Sequence, residues 1–416
     1  MAWSRQSIIG AGVLGLLALP GPASAQSFSG EARLRWDGHN NAQLKIGNDY
    51  QQVLFRGVVG ADWEPDPHLR LFGQVATGQL DRGRGAAPPN FQNDAALQQL
   101  FAELRVEVGG GRLGAIIGRQ EFADGPRQLL SLSDGPNIHR SWNGGRVYFQ
   151  SQKMRLGAFE LRATRQGGGA FDEGTNHAER ITGLNASLAL APELRLDPFW
   201  IQSANPSLRS GGRIGPDARD TFGVRLWGRQ GDVRFDWTLA HQRGRDQKAD
   251  AKAWGLFAVQ SLALSGHAWK PRLTSHVDLA SGGSYGNATF KGFNQLYASS
   301  AYLGEGQFLS LSNLFMIAPG IAIAPTPRTA LALEYGFARR LSARDAAYAG
   351  GMRPYAGTQN ISGRPIGGLL RGSGSWSATK QLTLFVNLEH FRAGALLRRA
   401  QFGSGSYVHA GATWRY

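Results

Sequence analysis

Tyr407–Tyr416 alternates without a break. Val408, Ala410, Ala412, Trp414 and Tyr416 form an apolar set, and Tyr407, His409, Gly411, Thr413 and Arg415 form a set suited to water. Ten residues with period two describe a strand with one oily and one wet face. That is also the length a tilted strand needs to cross a bilayer. Aromatic Tyr416 at the end suits a membrane interface. The same pattern recurs upstream. Ala32, Leu34 and Trp36 oppose Glu31, Arg33, Arg35 and Asp37, and Phe55, Val59, Ala61 and Trp63 oppose Arg56, Asp62 and Glu64. Leu69, Leu71 and Val75 oppose Arg70 and Gln74, and Ala102, Leu104 and Val106 oppose Glu103, Arg105 and Glu107.

Continued to the end, the pattern predicts about 18 strands. Their connections alternate in length. Short ones fall at 65–67, 109–111, 151–153, 191–193, 230–232, 264–270, 319–327 and 379–381. Long ones fall at 38–50, 79–96, 121–143, 166–177, 203–218, 244–250, 281–306, 340–366 and 394–405. A soluble sandwich has no reason to gather its long loops at one end. A single transmembrane antiparallel β-barrel of the outer membrane does, with short periplasmic turns, long extracellular loops and an even strand number. Backbone groups in lipid then require the sheet to close. Asp94–Leu100 is read as a short loop helix before the fourth strand.

Residues 1–25 read as a cleaved export signal: Arg5, the apolar run Ile8–Leu19, then Ala23-Ser24-Ala25. The barrel domain is assigned to 26–416. Beyond the signal no apolar run is long enough for a spanning helix. The chain has no Cys, which excludes disulfides and thiol chemistry.

The formal charge is +15, and only seven of the 45 basic residues are lysine (45, 153, 248, 252, 270, 291 and 380). Guanidinium groups pair carboxylates and phosphates bidentately, so the excess suggests an anionic partner. A high-GC codon bias would give the same composition, so the direction of the side chains decides. With the apolar alternates facing lipid, the lumen receives Arg33, Arg35, Arg56, Arg70, Arg105, Arg146, Arg162, Arg225, Arg234 and Arg415. Glu31, Asp37, Glu103, Glu160, Asp197, Asp236 and Glu334 accompany them. Rings of arginine make a pore select anions, and a bore of this size passes a sugar chain or a small solute once loops narrow it.

Other chemistry is set aside. His139, Arg140 and Ser141 are neighbours on a strand and point to alternate faces, so no catalytic group forms and the protein is not read as an enzyme. No His pair has metal spacing, and no cofactor is expected. Asp217, Asp220, Asp246 and Asp250 are read as solvated loop charge rather than a divalent-cation site. Arg82–Gly85 precedes no helix and is no phosphate loop. A basic exported barrel meets no nucleic acid.

Two stretches carry a family likeness. One is Gly118-Arg119-Gln120-Glu121-Phe122-Ala123-Asp124-Gly125, followed by Ile138-His139-Arg140-Ser141-Trp142-Asn143-Gly144-Gly145-Arg146. The other runs Gly292-Phe293-Asn294-Gln295-Leu296-Tyr297, then Ala301-Tyr302-Leu303-Gly304, ending at Ser312-Asn313-Leu314. On these residues the chain, over about 27–416, resembles the alginate-export outer-membrane channels. The resemblance implies an 18-stranded barrel whose Arg-lined constriction passes a polyuronate supplied by periplasmic export machinery. It marks Arg119, Arg140 and Arg146 as constriction residues. The alternation of Leu113, Ala115 and Ile117 would turn Arg119 outward, and the resemblance is followed there. Pore-lining candidates are therefore Arg35, Arg56, Arg105, Arg119, Arg140, Arg146, Arg225 and Glu103. The partner is an anionic polysaccharide or, alternatively, a small anionic or aromatic solute. The surroundings are outer-membrane lipid, one chain makes one pore, and Phe122–Asn137 is the expected gating loop.

Overall fold

The computed structural model describes residues 25–81, 87–123, 128–264, 266–283 and 289–416. Residues 1–24 of the proposed export signal, Arg82–Gly85 and the Asp124-Gly125 pair lie outside the described residues. Eighteen long strands follow one another around the wall. They are β1 Ala25–Asn40, β2 Tyr50–Asp66, β3 Leu69–Asp81, β4 Asn93–Val108, β5 Gly111–Glu121 and β6 Ser141–Gln150. Then come β7 Met154–Arg165, β8 Gly174–Ala191, β9 Leu194–Ser210, β10 Arg213–Gln230, β11 Val233–Asp246 and β12 Ala249–Ala263. The set ends with β13 Arg272–Ala280, β14 Leu314–Thr326, β15 Thr329–Arg339, β16 Pro365–Ser377, β17 Leu382–Ala393 and β18 Gly405–Arg415. Each pairs antiparallel with its neighbours, and β18 pairs back onto β1 from Glu31 opposite Arg415 to Asn40 opposite Ser406. Closure leaves no unpaired edge, which is the condition for a sheet in lipid.

The expected alternation decides the two faces. Leu34, Val59, Leu104, Ile117, Leu184 and Leu239 are exposed on the outside, as lipid-facing side chains must be. Arg33, Arg35, Arg56 and Glu103 are buried on the inside.

Four sequence expectations change. Asp94–Leu100 is strand, part of β4, because Asp94 and Ala95 already bond to the 166–173 segment. The loops expected at 203–218 and 244–250 are instead continued strand. Only Gly211-Gly212, both at positive φ, turn β9 into β10, and Gln247-Lys248 turn β11 into β12. Polar residues there look like loop, yet they stand beyond the lipid with their backbone satisfied by the ladder. The expected proline-bounded connection at 319–327 is mostly β14. Pro319 lacks an N–H, and the ladder to β15 skips from Ile317 to Gly320 to accommodate it.

The interior of the upper barrel is filled by inward-folded loops. One apolar core joins Phe293, Leu303 and Phe308 of the 281–313 loop to Phe257, Met316, Leu369 and Phe391 of the wall. A second joins Phe122 and Leu130 of the 122–140 loop, and Tyr297, to Trp142, Phe159 and Leu161.

Candidate functional site in the lumen

On the β1–β4 wall, inward charges fall at register neighbours of opposite sign. Arg35 Nε lies 2.7 Å from Asp37 Oδ1, and Gln52 donates to the same carboxylate at 3.1 Å. Arg56 pairs with Glu31, which also takes Arg415 at 2.9 Å. Arg70 holds Asp62 at 2.6 Å and Glu103 at 3.3 Å. Arg105 bridges Glu64 and Glu103, each at 2.8 Å, and the Tyr148 hydroxyl donates to Glu103 at 2.5 Å. This ladder is charge-compensated along its length.

The 122–140 loop crosses to that wall. Asp134 accepts from Arg56 at 2.6 Å and Arg33 at 3.3 Å, and Arg33 also donates to the Pro136 carbonyl at 2.9 Å. His139 ties the loop down through Glu121 at 2.6 Å and Asp134 at 2.7 Å. Burial alone would lower the His139 pKa, but the two carboxylates outweigh it and raise it above the ordinary histidine value. Burial would raise Asp134, but His139, Arg56 and Arg33 hold it far below the usual carboxylate range. Arg140 donates to the Tyr297 carbonyl at 3.0 Å and stacks 4.9 Å from that ring's centre. Burial outweighs the opposing field of Tyr297 and Glu179 and pulls its pKa below the ordinary arginine value.

The 281–313 loop is joined to the 122–140 loop by the backbone. Tyr297 N–H donates to Leu129 at 2.8 Å, and Ser131 N–H donates to Tyr297 at 3.0 Å. Farther along, Glu305 meets His409 at 3.1 Å, Arg35 at 3.5 Å and the Tyr407 hydroxyl at 3.3 Å. The N–H groups of Glu305 and Gly306 donate to Glu389 on β17 at 2.8 and 3.0 Å. Glu305 borders a cavity of about 450 Å³ lined by Arg35, Asp37 and Arg140. It also borders one of about 550 Å³ lined by Arg272, Arg371 and His409. This segment therefore stands between two chambers.

The β7–β13 wall is different. Arg225 is compensated by Asp236 at 2.5 Å and Asp197 at 3.3 Å, and it stacks on Trp227. Arg195 reaches only the Ser187 hydroxyl at 3.5 Å, Arg229 only the Gly231 carbonyl at 2.8 Å, and Arg272 the Ser261 hydroxyl at 2.8 Å. Arg155 and Arg234 also face the lumen. None of these five has a carboxylate partner among the described residues. Arg155, Arg195 and Arg225 line a third cavity of about 440 Å³.

Among the sequence candidates, Arg35, Arg56, Arg105, Arg225, Arg146 and Glu103 are on the inner face, and Arg140 is inside on a loop. Arg146 lies 4.9 Å from the Phe122 ring centre. Arg119 is a correction. The β4–β5 and β5–β6 registers run unbroken through it, so no bulge reverses its face. It shares the outward side with Ile117, which is 71% exposed. There it donates to Asn143 at 3.0 Å and the Leu97 carbonyl at 2.9 Å and pairs with Glu173 at 3.4 Å. Arg162 and Glu160 are likewise outward, 3.2 Å from each other, because Phe159, Leu161 and Ala163 take the inside. Asp217 and Asp246 are inward strand residues that clamp the buried Arg219 rather than solvated loop charge. Asp220 faces out and accepts from the Trp200 indole at 3.0 Å. No metal-binding cluster occurs among the described residues. Asp134, Glu305 and Glu389 were not singled out from sequence. Gly304-Glu305-Gly306, an acid between two glycines, is the one local signal that a carboxylate is delivered there on a tight backbone.

A closed 18-stranded barrel with an oily outside, a charged inside and inward loops is the architecture of an outer-membrane channel. The family model described as alginate export matches residues 24–410, and the chain belongs to that family. Among curated proteins none matches. Several solved structures share the fold. A BenF-like porin from Pseudomonas fluorescens Pf-5 is 10% identical, with a TM-score of 0.64 over 94% of this chain and 99% of that one. OccK2 (OpdF) from Pseudomonas aeruginosa is 12% identical, with a TM-score of 0.61 over 93% and 97%. OpdK from Pseudomonas aeruginosa, solved with vanillate, is 11% identical, with a TM-score of 0.59 over 94% and 98%.

Proposed function

We propose that the protein passes an anionic polysaccharide of the alginate type across the outer membrane. The observation that carries the reading is the β7–β13 wall, where Arg155, Arg195, Arg229, Arg234 and Arg272 present guanidinium groups to the lumen without carboxylate partners among the described residues. Unpaired cations lower the electrostatic barrier to a polyanion, and a series of weak sites lets it leave as well as enter. A polymer rather than a small solute is supported by membership of the alginate export family. In this reading Arg35, Arg56, Arg105 and Glu103 form a fixed rail opposite the cationic wall. Arg140, Arg146 and Arg225 mark the path between, and the inward loops yield to the polymer. One chain closes one barrel, so one copy supplies a complete pore, fed by export machinery on the periplasmic side.

A second reading, a diffusion porin for small anionic or aromatic solutes, is favoured by the chambers of about 440 to 550 Å³. Those volumes suit a small ligand. Planar-bilayer recording separates the two. Anion selectivity with block by polyuronate added on one side, weakened by Arg146→Glu, is the expected result for export. Anion selectivity without polymer block moves the assignment to the small-solute porin. Cation selectivity overturns both.

A further inference from the structure

The register aligns three outward rows across β7–β12. The lowest is Leu184, Trp200, Phe222, His241 and Trp254, each directly opposite the next. Below it lie apolar residues such as Leu156, Val224, Leu239 and Leu256. Aromatic side chains above an apolar band mark the interface of the outer leaflet. Two residues farther up, about 7 Å along the strands, come Asp220, Arg243 and Lys252. Two residues higher again come Arg162 opposite Arg180, and Arg245 opposite Asp250.

The basic side chains of these upper rows point away from the lumen, and Arg180, Arg243, Arg245 and Lys252 are exposed. The Arg243 guanidinium rests 4.8 Å from the centre of the Phe222 ring, itself 38% exposed. That stacking spreads the fork over the aromatic row with its N–H edge free. The acids present are few and partly engaged: Glu160 is bound to Arg162, Asp220 accepts from Trp200, and Asp250 sits opposite Arg245. Cations are therefore in excess at headgroup height, on a surface whose lower edge is in lipid.

We propose that this patch binds the phosphate groups of an outer-leaflet glycolipid. Its acyl chains would lie on the apolar rows, its sugars at Trp200 and Trp254, and its phosphates against Arg243, Lys252 and Arg180. The site is separate from the lumen and independent of what the pore carries.

The test is thermal unfolding of the purified barrel in neutral detergent with three probes: diphosphorylated lipid A, its dephosphorylated counterpart, and inorganic phosphate. Diphosphorylated lipid A is expected to raise the melting temperature, and the other two are not. Arg243→Gln/Lys252→Gln is expected to weaken the lipid effect by roughly an order of magnitude while leaving the melting temperature without lipid unchanged. Arg180→Gln serves as a second, independent variant should the double one fold poorly. Glu160→Gln, which frees Arg162, is expected to strengthen it. An equal response to dephosphorylated lipid would show that only the apolar rows bind. An equal response to inorganic phosphate would show an anion site without lipid. Undiminished binding by both folded variants would overturn the proposal.

Discussion

Along β1–β4, Arg35, Arg56, Arg70 and Arg105 are salt-bridged to wall carboxylates, and Arg33 is salt-bridged to a loop carboxylate. Along β7–β13, Arg155, Arg195, Arg229, Arg234 and Arg272 lack such partners among the described residues, although Arg225 in their midst has two. The cause lies in the register. Arg70 faces Glu103 directly and Arg56 reaches back to Glu31, whereas Arg234 stands between Arg229 and Ser261, and Arg272 between Ala263 and Ala322. The same residue type thus does two jobs. A paired guanidinium holds geometry and cancels its own field; an unpaired one projects its field into the lumen. Composition cannot tell these apart.

The largest expected effect breaks the paired side. Arg35→Ala strips from Asp37, whose side chain is 2% exposed, its only paired cation among the described residues, and removes one of the contacts of Glu305. Uncovering a buried carboxylate costs about 3–5 kcal/mol, so the urea midpoint of the folded barrel should fall clearly. Conductance should rise as the 281–313 loop loosens. An unchanged midpoint would show that the ladder is not structural.

On the unpaired side the same kind of change should leave stability nearly untouched. Arg195→Glu/Arg234→Glu removes no ion pair among the described residues, so the unfolding free energy from urea titration is expected to stay within about 0.5 kcal/mol of the parent. Its reversal potential in a salt gradient should move toward cations. Because Arg234 is exposed and Arg195 only half-buried, the shift should shrink between 0.1 and 1 M salt as the Debye length falls from about 10 to 3 Å. A selectivity that ignores this substitution, yet responds at Arg105, would reverse the assignment of the two walls.

Much of the wall was legible in sequence. Period-two alternation gave most of the faces. It misplaced Arg162 and Glu160 on β7, where Phe159 and Leu161 put apolar residues on the inner side. It was right at Arg119, where the family motif pointed inside and the unbroken β5 register points outside. Alternation carries that information because successive strand side chains must oppose each other. It failed where backbone satisfaction no longer depends on lipid, as in β9–β12 above the membrane, where strand and polar loop have the same composition. The inside was far less legible. Asp134 reaches Arg33, and Glu305 reaches Arg35, across more than a hundred residues of chain. No local spacing records such contacts, and Arg140 could be placed inside only by likeness. Nor does a sequence without register distinguish Arg56 from Arg234, although their contrast is the main electrostatic feature of the lumen.

The smallest expected effect concerns how the 122–140 loop is held against the paired wall. His139 faces Glu121, Asp134 and Arg56, the last lying 2.6 Å from the ring nitrogen shared with Asp134. Its pKa is raised, so its protonated form favours the docked loop. That contribution is complete below the ordinary histidine pKa of about 6.5 and is lost as pH rises through the raised value. Asp134 behaves oppositely. Its pKa is depressed, so its contribution is present above the ordinary carboxylate pKa of about 4 and is lost only as pH falls toward the depressed value. Between those limits both hold, and on the alkaline side the loop keeps the Arg33 and Arg56 bonds to Asp134 and the Arg33 bond to the Pro136 carbonyl. Open-channel flicker should therefore increase as pH is raised above 7. His139→Gln should flicker at the alkaline level at every pH, while Arg56 keeps the loop from leaving entirely. A pH dependence that survives His139→Gln would move the titration to another group.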